Sequence, residues 1–102
     1  MKSNPIDIVW ARIRAAAGEE FYQIRGKVFR YEVQGTAVMP EGVNQNIPRS
    51  QFEEALELVP LKTTVPVQHL RGPSYIYAIL MDLRIRGSDE WGATNRQRGE
   101  YE

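Results

Sequence analysis

The spacing of apolar residues changes around Gly18, and few fold classes accommodate that change. Ile6, Val9, Trp10, Ile13, Ala16 and Ala17 recur at intervals of three and four, the mark of one buried helical face. From Glu20 to Met39 the period becomes two, as in a half-buried strand. The first segment therefore reads as a helix over about Pro5–Ala17. Asn4 is a suitable N-cap, Pro5 suits the first helical position, and Gly18 supplies the stop.

Three short strands are expected in the alternating stretch: Phe21–Arg25, Val28–Gln34 and Thr36–Met39. A two-residue turn at Gly26-Lys27, with glycine first, pairs Arg25 with Val28, Ile24 with Phe29 and Tyr22 with Tyr31. That register puts Tyr22, Ile24, Phe29, Tyr31 and Val33 on one side, and any two-residue turn near Gly35 keeps Val38 with them. Gln23, Arg25, Val28, Arg30 and Glu32 occupy the other side.

Pro40–Arg49 reads as a loop. Ser50 and Glu53 have capping-box spacing and open a helix that buries Phe52, Ala55, Leu56 and Val59 before Pro60 ends it. Pro66 excludes a central strand within Lys62–Leu70, leaving an edge segment or a short helical turn. A last helix is expected over about Pro73–Ile85, with Ser74 near its cap. Its wheel turns Tyr75, Ile76, Ile79, Leu80 and Leu83 inward, and Tyr77, Met81 and Arg84 to the opposite side. The fold class expected is α+β: a single domain over residues 1–87, built as a three-stranded antiparallel meander with helices packed on one face (α-β-β-β-α-α). Residues 88–102 are polar apart from Trp91 and read as a flexible tail.

With 102 residues there is room for one core. No cysteine is present, which removes disulfides, thiolate metal sites and cysteine nucleophiles. No run approaches the ~20 apolar residues of a membrane span, and no apolar targeting segment follows Met1, so a soluble cytoplasmic protein with no membrane role is expected. His69 is the single histidine. It reads as a surface or capping residue rather than a general base. Glu53-Glu54 read as acids favoured in the first turn of a helix, and Ser50 and Ser74 as caps. Neither a Walker A motif nor a G-x-G-x-x-G loop occurs, and Gly35 and Gly42 stand too far apart to form one. No enzyme, cofactor, metal site or small-molecule ligand is inferred.

The 13 basic and 13 acidic residues cancel, which counts against a dedicated nucleic-acid binder. Their distribution is uneven. Residues 12–30 hold five basic residues against two acidic, residues 62–86 four against one, and residues 41–60 one against four. Arg25, Lys27 and Arg30 on the hairpin, with Arg84 and Arg86 on the last helix, form a candidate surface for a DNA or RNA backbone. The competing structural reading is a solvated sheet face with ion pairs such as Arg30 with Glu20 or Glu32. The connection from Pro60 to Gly72 is too long for a helix-turn-helix, and the aromatic pattern of an RNA-binding sheet is missing. A second candidate is a protein-interaction or homodimer surface on Tyr77 and Met81, because a helix apolar nearly all round needs cover on both sides. The structural alternative is cover by the tail or another loop.

Overall fold

The computed structural model describes residues 5–87. Asn4, Trp91 and the tail expected over residues 88–102 lie outside them. The described chain is a small α+β domain. In order it runs α1 (Pro5–Ala15), β1 (Phe21–Tyr22), β2 (Val28–Phe29), β3 (Tyr31–Gln34), β4 (Ala37–Pro40), β5 (Ile47–Pro48) and α2 (Arg49–Ala55). A 3-10 turn (Val65–Val67), α3 (Pro73–Leu80) and α4 (Leu83–Arg86) complete it. The antiparallel strands divide into a β1–β2 hairpin and a separate β3–β4–β5 sheet.

Helix α1 buries the face its spacing predicts: Ile6, Val9, Trp10, Ile13 and Ala16 all leave the solvent. Gly18 ends it with φ +90°, and its N–H donates to the Tyr31 carbonyl at 2.9 Å, tying the helix end to β3. The Tyr31 ring is buried between them, and its hydroxyl donates to the Ile13 carbonyl at 2.7 Å, so the one polar atom of that ring is satisfied. Burial pushes the Tyr31 phenol well above its ordinary pKa.

The strand faces need one correction. Phe29, Tyr31 and Val38 are buried and Val33 packs against them, as the alternation predicts. Tyr22 and Ile24 do not join them; they are 58% and 45% exposed, and Phe21 is buried instead. The observed pairs are Phe21 with Phe29 and Tyr22 with Val28. The loop explains the slip. Gly26 sits third in a three-residue loop at φ +91°, its N–H donating to the Gln23 carbonyl at 2.7 Å, while the Gln23 N–H donates to Lys27 at 2.8 Å. A glycine-containing turn can close with two or three loop residues. The partner of Phe29 moves from Ile24 to Phe21, an odd shift, which turns residues 21–25 over. The reason it wins is packing: Phe21 meets the rings of Tyr31 at 5.2 Å and Phe29 at 6.0 Å.

Two helix starts also differ. Ile47–Pro48, expected as loop, pairs with β4, and the Arg49 N–H donates to the Thr36 carbonyl at 2.7 Å. The chain therefore enters α2 directly from a strand. Pro48 occupies the N-cap without a side-chain hydrogen bond, and Ser50 falls inside the helix, so no capping box forms. Ser74 likewise lies inside α3, whose N-cap is Gly72 at φ +64°.

The long last helix is broken. Asp82 accepts a hydrogen bond from the Arg84 N–H and starts α4 afresh after α3 ends at Leu80. The break re-aims the side chains beyond it, leaving Leu83 62% exposed and Ile85 buried. The hairpin register yields a direct contrast. Phe21→Ala is expected to cost about 3–5 kcal/mol by opening a cavity, and Tyr22→Ala only about 0.5 kcal/mol. Chemical denaturation of the two variants checks this; a larger loss at Tyr22 would restore the two-residue turn.

Candidate functional site

The five basic residues singled out in the sequence fall into two groups. Arg84 is held on every side. Its Nε donates to Asp82 Oδ1 at 2.8 Å and its Nη2 to Asp82 Oδ2 at 2.9 Å, a fork on one carboxylate. Nη1 donates to Glu19 Oε1 at 2.9 Å and Nη2 to the Glu20 carbonyl at 2.7 Å. The guanidinium carbon lies 4.0 Å above the centre of the Phe21 ring. The Asp82 hydrogen bond, helped by Glu19, raises the Arg84 pKa further above its usual value, and the Arg84 hydrogen bond holds Asp82 below the usual carboxylate range.

Arg30 belongs to the same node. Its Nη2 meets Glu20 Oε2 at 2.8 Å, one of the ion pairs expected of a solvated sheet face. Arg86 donates from Nε to the Met81 carbonyl at 3.2 Å. Thus Arg30 and Arg84 are ion-paired with Glu19, Glu20 and Asp82, while Arg86 and Arg12, whose Nη1 donates to the Ile85 carbonyl at 3.0 Å, lie at the same helix. Ion pairing commits Arg30 and Arg84 to these carboxylates and away from a phosphate chain.

Arg25 and Lys27 are different. Both lie on the β1–β2 loop, exposed to solvent, with no hydrogen bond or ion pair to their side chains among the described residues. Beside them the hairpin leaves Tyr22, Ile24 and Val28 exposed. Sequence reasoning missed Tyr22 because the register hid it. Arg84's tether was partly legible: an aspartate inside an apolar helical run is a cap signal, and Asp82 precedes Arg84 by two positions.

Tyr77 and Met81 are half-buried and pack against the core rather than standing free on α3. The Leu61 N–H donates to the Met81 sulfur at 3.3 Å, so the connection between α2 and α3 supplies part of the cover. His69 is exposed with Nε2 3.5 Å from Glu54 Oε2. Among the described residues, no group of three or more His, Asp or Glu side chains converges as a metal site, and no helix is long and apolar enough to cross a membrane. No family model, curated protein or solved structure matches the chain.

The Asp82–Arg84 fork has a pH signature. Because the folded pKa of Asp82 is depressed, its stabilisation is fully present above the unfolded value of about 3.9 and is lost as pH falls through the folded value. Asp82→Asn is expected to lower Tm at neutral pH, with the gap to the parent closing in strong acid. Melts across pH check this, and a gap independent of pH would show that the carboxylate charge contributes nothing.

Proposed function

We propose that this chain is a small, non-enzymatic, cytoplasmic binding protein that engages single-stranded nucleic acid through the β1–β2 hairpin. Arg25 and Lys27 meet phosphates, and Tyr22 offers a face on which a base stacks, with Ile24 and Val28 as apolar flanks. The observation that carries the reading is a pair of loop cations with no ion pair among the described residues, beside an exposed tyrosine, while Arg30 and Arg84 are already ion-paired. Stacking on an aromatic side chain contributes about 1–3 kcal/mol per base and tolerates any base. Two phosphate contacts and zero net charge imply modest affinity, and Arg30 and Arg84 hold the segment leading into the hairpin instead of touching the strand.

The alternative, a homodimer or docking module built on Tyr77 and Met81, has less to recommend it, because both side chains already pack on the core. Fluorescence anisotropy of a labelled oligothymidylate tests the primary reading. Binding is expected at low salt, with log K falling against log salt by about 1.4 for two contacts on a single strand. Arg25→Glu with Lys27→Glu should abolish binding with Tm preserved, and Tyr22→Ser should weaken it. Absence of binding at low salt, or full binding by the charge-reversed variant, would remove the proposal. Light scattering on the parent addresses the alternative, which requires an oligomer that Tyr77→Glu with Met81→Glu dissociates into a folded monomer.

A further inference from the structure

A cleft of about 320 Å³ opens between the β5–α2 junction and the turn leading into α3, lined by Pro48, Gln51, His69, Leu70 and Arg71. Its walls are fixed in place. Leu70 is buried, and Gly72 packs so tightly on β5 that a Cβ there would stand 2.7 Å from Ile47 Cδ1. The Arg71 N–H donates to Gln51 Oε1 at 2.8 Å. That bond occupies the amide oxygen and leaves the Gln51 Nε2 hydrogens to donate elsewhere. The Arg71 guanidinium has one long hydrogen bond, from Nη1 to the Asn46 carbonyl at 3.4 Å, and most of its fork is uncommitted. His69 is exposed on the same rim, its imidazole near Glu54.

The cleft thus gathers an amide, an imidazole and a guanidinium over an apolar residue, an arrangement rich in donors. We propose that it is a binding site for a small phosphate monoester, separate from the hairpin and independent of its role. Three donor-bearing groups suit the three terminal oxygens of a monoester better than the two of a carboxylate, and a guanidinium fork favours phosphate geometry. Glu54 is the acidic group near the rim, three positions along α2 from Gln51, with its Oε2 3.5 Å from His69 Nε2. A volume near the lower end of ligand sites, about 300–1,000 Å³, restricts the organic part to a single small ring or chain.

Amide-resolved NMR of the full chain, titrated separately with phenyl phosphate and benzoate, tests this. Saturable shifts are expected at the Gln51 side-chain amide, His69 and Arg71 with phenyl phosphate, and much weaker ones with benzoate. His69→Ala with Arg71→Ala should lower affinity at least about tenfold, leaving Tm near the parent's because the Arg71 N–H and Gln51 remain. Should that variant lose stability, Arg71→Lys keeps the charge, removes the fork and is expected to weaken phenyl phosphate binding in a folded protein. No saturable shift, equal affinity for benzoate, or undiminished affinity in both variants would overturn the proposal.

Discussion

The guanidinium of Arg84 over the ring of Phe21 joins α4 to the hairpin, beside the direct bond from Arg12 on α1 to the Ile85 carbonyl. It fastens α4 to the segment leading into β1, through Glu19, the Glu20 carbonyl and the aromatic face. Those partners lie more than sixty positions away in sequence. Ordinary exposed ion pairs contribute about 0–1 kcal/mol. This one is stronger in kind, because four hydrogen bonds and a ring share one planar cation whose side chain is only partly exposed. Phe21 gains a lid by it, and Phe21 in turn packs on Tyr31, whose hydroxyl reaches α1. Arg84 thereby connects α4, the last described helix, with the hairpin and, through Tyr31, with α1.

That commitment decides which cations remain for a partner. A guanidinium already bound to two carboxylates and a carbonyl would have to break those contacts to grip a phosphate, so in the proposed reading Arg84 holds the hairpin in place rather than meeting the strand. Arg25 and Lys27 have nothing to give up. They ride on a hairpin whose strands are two residues long and which is marginal without its anchors, Phe21 and Phe29. Phe21 and Phe29 hold the hairpin on the core, and two backbone hydrogen bonds close its loop.

Helix α1 was legible in the sequence because one helix face reports its own burial at short range. The inward face of Phe29, Tyr31 and Val38 was legible for the same reason. The register of Phe21–Arg25 was not, since Gly26 suits two loop lengths and only contacts with Tyr31 and Phe29 choose between them. Ser50 looked like a cap because its local pattern is right; a strand pairing with Ala37 and Val38 starts the helix earlier. Asp82 carried a readable break signal inside an apolar run, which an unbroken wheel over Pro73–Ile85 ignored. Within the candidate site, Arg25, expected to end a strand opposite Val28, lies in the loop because of the same register slip, whereas the turn position of Lys27 followed from sequence. The neutralisation of Arg84 by Glu19 did not, because no local pattern encodes so distant a partner.

The division between a supporting Arg84 and an available Arg25 and Lys27 is tested most directly by one titration. Oligothymidylate added to the labelled protein at low salt is followed at backbone amides and at arginine Nε–H groups. Shifts are expected to concentrate at Tyr22 and across Ile24–Val28, with the Arg84 Nε–H signal unmoved. Shifts centred on Arg84 and α4, or none at the hairpin, would contradict the assignment.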